Sequence, residues 1–256
     1  MIFRVDEDDA VAWLSNLAPG SVDAVIADPP YSSGGMFRGD RIQDVHTKYV
    51  QTGSTSGAAL QDFTGDNRDQ RSYAYWSHLW MSAARQSLAP GGALLVFTDW
   101  RQLPTTTDAI QAAGFVWRGI VPWYKPNGRR IQGRFANTCE YVVWGTNGPR
   151  VPDYAPSALD GFYQVNSPRG ETRSHITQKP VELMRRLVRI APPGGLVADP
   201  FAGSGSTGVA ALEEGRHFVG CEIQPHFARV ARDRLAVYSS DGVPQAVQHD
   251  LFGTMA

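Results

Sequence analysis

Cysteine is nearly missing from this chain of 256 residues, which carries only Cys139 in "TCEY" and Cys221 in "GCEI". Two thiols so far apart in sequence cannot form a metal knuckle, and both sit in apolar runs, so they read as small buried hydrophobes. His46, His78, His217, His226 and His249 show no metal-ligand spacing either, and no metal site is expected. Lysine is almost as scarce. Of 24 cationic residues only Lys48, Lys125 and Lys179 are lysines, and the rest are arginine, whose planar fork suits phosphate oxygens and guanine edges. Carboxylates are absent between Asp108 and Glu140, where Arg118, Lys125, Arg129, Arg130 and Arg134 interleave with Trp117, Trp123, Tyr124 and Phe135. A net charge of −1 announces no polyanion partner globally, but that stretch is a local basic, aromatic surface. No apolar run is long enough to cross a bilayer, and "MIFRVDEDDA" lacks the charged-then-apolar layout of a signal peptide, so a cytoplasmic chain without a membrane partner is expected. Internal repeats and low-complexity tracts are missing too.

What is present is an ordinary globular composition, 42% hydrophobic and 19% charged, at a length that suits one domain over 1–256. Strand-like and helix-like segments alternate, which predicts an α/β sheet with helices on both faces. Strands are expected at "FRV", "DAVIA", "ALLVFTDW", "GLVADP" and "HFVGCEI". Helices are expected at "DAVAWLSNL", "YAYWSHLWMSAARQSL", Gln102 to Ala113, "PVELMRRLVRI", "STGVAALEEG" and "HFARVARDRLAVY", with "APGG" as a turn. "FVWRGIVPWYK" and "CEYVVWG" leave no room for a crossover helix and read as an antiparallel pair at one edge. Two stretches escape the alternation: Ser32 to Ser72, rich in glycine, and Thr146 to Ile176, rich in Pro, Gly, Ser and Asn. A long loop inside a compact domain is usually functional.

Two strand ends carry chemistry. "ADPFAGSGSTGVAAL" (Ala198 to Leu212) is a strand end, a turn with Gly203, Gly205 and Gly208, then a helix whose N-terminus offers free N–H groups. Its spacing differs from the dinucleotide G-x-G-x-x-G, and Asp199 at its mouth would repel a pyrophosphate. Glu222, ending the next strand, is placed to accept from ribose hydroxyls. A cationic ligand with a ribose suits both acids, and S-adenosylmethionine is such a ligand. The second strand end is "ADPPY" (Ala27 to Tyr31): Asp28 and the Pro29 carbonyl are acceptors, Pro29 and Pro30 have no N–H, and Tyr31 offers an aromatic face. Acceptors beside a stacking platform describe a pocket for a base bearing an amino group.

These pieces, with "LAPGGALLVFTDWRQ" and "HITQKPVEL" (His175 to Leu183) in this order, make the chain similar to the β-class of DNA amino-methyltransferases, which act on adenine N6 or cytosine N4. Asp8 in place of a glycine before Asp9, and Ile176 in place of a proline after His175, depart from the pattern. The resemblance implies a Rossmann-like S-adenosylmethionine-dependent methyltransferase fold, a mostly parallel seven-stranded sheet with an antiparallel edge strand, the catalytic half preceding the cofactor half. It implies Asp28, Pro29, Pro30 and Tyr31 as catalytic. Asp9, Ala10, Asp28, Thr177, Gln178, Lys179, Asp199, Pro200, Phe201, Ala202, Gly203, Ser204, Gly205, Thr207, Glu222 and Ile223 would hold the cofactor, Asp9 and Ala10 at the adenine edge and Lys179 over the carboxylate. Arg38, Arg41, Lys125, Arg129, Arg130, Arg134, Arg150, Arg169 and Arg173 would meet double-stranded DNA. The 32–72 segment becomes a mobile DNA-contacting loop and 146–176 a short target-recognition insert, with a second subunit and a restriction endonuclease as further partners.

In the chemistry so implied, Asp28 and the Pro29 carbonyl draw the two protons of a flipped base's amine, the ring face of Tyr31 rather than its hydroxyl supports the base, and alignment supplies most of the acceleration. Adenine N6 is favoured over cytosine N4 because cytosine members more often begin the motif with serine. Cytosine C5 transfer needs a cysteine nucleophile, usually after proline, and neither cysteine follows one. A nicotinamide oxidoreductase and a DNA-binding module without turnover are the rival readings.

Overall fold

The computed structural model describes residues 1–32, 68–128, 130–133, 135–150, 158–168 and 178–238. β1 (Phe3–Asp6), α1 (Ala10–Asn16) and β2 (Val22–Ala27) come first. Next are α2 (Gln70–Ser87), β3 (Leu88–Thr98), α3 (Leu103–Ala112), β4 (Val116–Tyr124) and β5 (Cys139–Thr146). β6 (Tyr163–Gln164), α4 (Val181–Val188), β7 (Leu196–Asp199), α5 (Ser206–Glu213), β8 (His217–Cys221) and α6 (Pro225–Ala236) follow. Helices and strands thus fall on the segments whose periodicity predicts them.

The strands form one sheet in the order β1-β8-β7-β2-β3-β5-β4-β6. Its first five strands are parallel, and β5 runs antiparallel to both β3 and β4. Every residue of β7 is buried, as a strand covered by helices on both faces requires. Side chains alternate between two cores. Ala24, Ile26, Leu95 and Phe97 face Leu183, Met184, Val209, Ala228 and Leu235 of α4, α5 and α6. Val25, Ala27, Leu94 and Val96 face Trp13, Leu14, Trp80, Met81 and Ile110 of α1, α2 and α3.

Two expectations change. The sheet has eight strands among the described residues, not seven, because Tyr163–Gln164 pairs parallel with Trp123–Tyr124. Trp123 Nε1 donates to Val165 O at 2.8 Å and Val165 N to Tyr124 O at 3.1 Å, so backbone pairing alone makes this strand and no side-chain period announces it. The aromatic pair therefore lies inboard of β6 at that end. "APGG" is a bulge within β3 rather than a free turn: Leu88 pairs with Val22, and the next pair is Ala93 with Ala24. A Cβ on Gly92 would lie 2.9 Å from Ala89 O and 3.1 Å from Asp23 O, so the bulge requires glycine there.

Candidate active site at the strand switch point

From the β7–β2 boundary the chain winds outward in both directions: β2 continues to β3 on one side and β7 to β8 on the other. Ligands of such sheets sit in the crevice beyond the carboxyl ends at this point. Val25 pairs with Ala198, so "ADPPY" and "ADPFAG" leave the sheet side by side. Sequence separates Asp28 and Asp199 widely; the sheet makes them neighbours.

Asp28 stands in a network of charges. Lys179 Nζ lies 2.7 and 2.6 Å from its two carboxylate oxygens, and Tyr31 OH lies 2.7 Å from Oδ1. Glu140, just past the start of β5, completes it: Oε2 is 3.1 Å from Tyr31 OH and 3.3 Å from Lys179 Nζ, while Oε1 takes a 2.8 Å bond from Lys125. Burial raises the pKa of Asp28 against the pull of Lys179. Burial would raise Glu140 too, but Lys179 and Lys125 hold it down at about 2. Tyr31 is pushed well up by burial and by both carboxylates, and stays a neutral donor. The Asp28 side chain keeps 22% of its surface accessible, so the pocket has a mouth. Pro29 is buried and Pro30 half-buried. Ser32 closes the motif at φ 53, a left-handed conformation uncommon outside glycine, and its Oγ accepts from Arg68 N at 3.2 Å. The two described ends flanking 33–67 are thereby joined.

The glycine turn lies alongside. Asp199 is 2% exposed, and both its oxygens are engaged: Phe201 N donates at 2.9 Å and the Thr207 hydroxyl at 2.5 Å. Its carboxyl thus holds the turn instead of standing free at the mouth, and burial raises its pKa to about 7. Glu222 accepts from Gly203 N at 3.0 Å and Gln224 N at 2.9 Å, and burial raises its pKa as well. Gly205 takes φ 83 at the start of α5, and a Cβ there would sit 3.2 Å from that of Ala231. Pro200 leads into Phe201, which packs between Trp76 and Trp80 at 5.5 and 5.3 Å between centroids. Ala202, Ser204 and Thr207 are buried, and Ile223 is 57% exposed beside Glu222. Asp9 caps α1, accepting from Val11 N and Ala12 N at 2.9 and 3.2 Å, and Ala10 is buried behind it.

The expected roles of Lys179, Tyr31, Lys125 and Arg150 meet different surroundings. Lys179, expected over a cofactor carboxylate, is paired with Asp28 because its ammonium is buried and Asp28 is the nearest acid. The Tyr31 hydroxyl, expected to be idle, sits between two carboxylates. Lys125 pairs with Glu140 inside the pocket and lies 5.4 Å from the Trp123 ring centroid. Arg150 donates to Gly91 O at 2.9 Å and Ile190 O at 2.6 Å, below the start of β3 and away from the strand ends that carry Asp28. Arg130 is exposed on the β4–β5 hairpin loop, on the active-site side, near Ile131 and a fully exposed Phe135. Gln178 directly precedes Lys179. Arg38, Arg41, Arg129, Arg134, Arg169, Arg173 and Thr177 lie outside the described residues. Sequence reasoning missed Glu140, Arg68 and Trp76. Arg68 packs its guanidinium 4.1 Å from the Trp76 ring centroid, beside Phe201. The available signal for Glu140 was the lysine shortage, since two of three lysines converge on it.

A doubly wound sheet with a buried acid network and a glycine turn meeting at its switch point places the protein in the Rossmann-like α/β class, and the solved structures that share its fold include S-adenosylmethionine-type DNA methyltransferases. More particularly, residues 22–233 match the family model described as DNA methylase, and the chain belongs to that family. It is similar to the type II methyltransferase M2.MboI of Moraxella bovis, 25% identical over 91% of this chain and 87% of the relative. M2.DpnII of Streptococcus pneumoniae is 26% identical over 89% and 87%. Among solved structures, the M1.HpyAVI–SAM complex superposes with a TM-score of 0.65 at 23% identity, covering 91% of this chain and 99% of that one. The cytosine-N4-specific PvuII DNA methyltransferase reaches 0.68 at 16% identity over 98% and 91%.

Proposed function

We propose that this DNA methyltransferase transfers a methyl group from S-adenosylmethionine to the exocyclic N6 amine of an adenine flipped out of double-stranded DNA. The observation that carries the reading is Asp28, at the mouth of the switch-point crevice and directly beside the glycine turn. Cytosine N4 is the second reading, favoured by the PvuII likeness; the aspartate that opens "DPPY" favours adenine.

The residues fit the cofactor. Gly203 stands at φ 50, and a Cβ on it would meet no heavy atom nearer than Phe201 O at 4.0 Å, so the turn leaves open space where any other residue would intrude. Glu222 keeps acceptor capacity for ribose hydroxyls beyond the bonds it takes from Gly203 N and Gln224 N, and the exposed Ile223 offers an apolar wall. Asp9 and Ala10 flank the same end of the sheet, while the Lys179 ammonium is spent on Asp28 and Glu140. When bound, S-adenosylmethionine supplies a methyl group on an already activated sulfonium.

Asp28 and the Pro29 carbonyl would accept the amine's protons and favour the pyramidal nitrogen whose lone pair is free. Tyr31 would carry the base on its ring, a contact worth about 1–3 kcal/mol against the few kcal/mol spent on unstacking. After transfer the nitrogen carries a surplus proton, which Asp28, its proton affinity raised by burial, is placed to take. Arg130 and the exposed Ile131 and Phe135 form a basic, apolar tip suited to the duplex beside the flipped base. A companion restriction endonuclease and a second subunit belong to the same proposal, the former supported by the type II names of the relatives.

Expression in a host without its own DNA modification, followed by modification-detecting sequencing, tests the reading, with N6-methyladenine expected. N4-methylcytosine would select the second reading. Asp28→Ala should abolish transfer while leaving cofactor affinity within about threefold, because the acid acts on the amine and not on the sulfonium.

A further inference from the structure

We infer that Glu140 is a positioning residue that acts through Lys179, offering its ammonium a second seat so that Asp28 is released when the amine of the target base arrives. The inference rests on the reading that Asp28 receives that amine. In the structure both acceptor oxygens are already engaged: Lys179 Nζ lies 2.7 and 2.6 Å from Oδ1 and Oδ2, and Tyr31 OH also reaches Oδ1. The base amine and the ammonium are both N–H donors to the same carboxylate, and an ammonium that stays on both oxygens weakens what Asp28 can offer the amine.

Lys179 has little choice of destination. Its side chain is 8% exposed and walled by the rings of Tyr31 and Phe97, with centroids 5.3 and 5.0 Å from Nζ. Among the described residues its other ion-pair partner is Glu140, whose Oε2 lies at 3.3 Å against 2.6 Å for Asp28, so a small displacement exchanges one carboxylate for the other. Lys125 fixes Oε1 of Glu140 at 2.8 Å and leaves Oε2 turned toward Lys179. With a pKa of about 2, Glu140 stays charged throughout the working range. Two carboxylates and two ammoniums keep the cluster neutral, and the exchange moves no net charge into a poorly solvated site, which would be costly. Lysine is also the right residue for it. A guanidinium would lock onto Asp28 through its rigid fork, whereas a compact ammonium on a flexible stem can slip between acceptors. In a chain that uses arginine almost everywhere else, two of three lysines stand in this cluster.

The test is a binding measurement with no turnover. Two duplexes carrying the methylation site are titrated by fluorescence anisotropy, one with the target base intact and one with its analogue lacking the exocyclic amine. The wild-type enzyme should prefer the amine about tenfold, as befits a hydrogen bond to a charged group. Glu140→Gln should cut that preference to below about twofold, because Lys179 stays on Asp28, and in a Lys179→Met background it should change nothing. Lys179→Arg, with Glu140 intact, should lose the preference as well. An undiminished preference in Glu140→Gln or in Lys179→Arg overturns the inference, as does an equal effect of Glu140→Gln in both backgrounds. If Asp28→Ala retains the preference, the underlying reading of Asp28 fails and the second seat with it. If Asp28→Ala loses it while Glu140→Gln keeps it, only the second seat fails.

Discussion

Asp28, Tyr31 and Asp199 show how burial turns familiar residue types into specific instruments. The sequence suggests that Tyr31 works through its ring alone, which would make Tyr31→Phe mild. With the hydroxyl 2.7 Å from Asp28 and 3.1 Å from Glu140, its loss removes a donor from two carboxylates at once. Hydrogen bonds to charged groups are worth about 1.5–3 kcal/mol, so Tyr31→Phe should lower kcat by roughly 10- to 100-fold, with Tyr31→Ala worse still. A Phe variant with wild-type kcat would return the role to the ring. Asp199 makes a prediction about stability. Its folded pKa of about 7 lies above the ordinary value of 3.8, so the native state holds a proton that the unfolded chain has lost. That contribution is fully present in acid and is withdrawn as pH rises through neutrality, by roughly 2–3 kcal/mol between about pH 5 and 8. Asp199→Asn should flatten the pH dependence of Tm over this window, which thermal unfolding at the two ends would show.

At the scale of elements, what the sequence made legible is what repeats within a few residues. Short continuous apolar runs mark β2, β3 and β7, as strands covered on both faces require, helical periods mark α1 to α6, and glycines and prolines mark the turns. β6 has two residues and no period, and the β3 bulge is visible only once β2 lies beside it. "DPPY" and "GSGSTG" were readable because each is contiguous. Glu140 was not, since Tyr31 lies 109 residues from it, and Asp28 lies 151 from Lys179. Such a cluster exists only after β5 reverses against β3. The glycine turn makes a sharper prediction now that Gly203 and Gly205 are distinguished. Gly203 faces open space and Gly205 faces Ala231 at 3.2 Å. Gly203→Val should therefore weaken cofactor binding by more than about tenfold with a modest fall in Tm, while Gly205→Val should lower Tm more, because its methyls meet α6. Isothermal titration with S-adenosylmethionine beside thermal unfolding separates them; the opposite ranking would mean that the pocket lies elsewhere.

For the molecule as a whole, the question is how much surface is left to read a DNA sequence. The expected recognition insert, 146–176, is short, and the sheet claims part of it. Tyr163–Gln164 is a strand, Asn127 and Ser167 exchange two hydrogen bonds at 2.8 and 3.0 Å, and Arg150 ties to Gly91 and Ile190. Residues spent on holding the insert to β4 and β3 cannot reach base edges. Each good bidentate contact supplies about 1–3 kcal/mol of discrimination, so a site of many defined bases needs several such side chains. Arginines elsewhere can grip phosphates, which positions the enzyme without specifying sequence. The expected outcome is a short or degenerate methylation site, with affinity that falls steeply as salt rises because phosphate contacts dominate. Modification-detecting sequencing of plasmid methylated by the purified enzyme, with binding measured across a salt series, checks both halves. Methylation confined to about one to three defined positions would agree with so short an insert, whereas a unique motif of about six or more bases would show that other parts of the chain or a second subunit read the DNA.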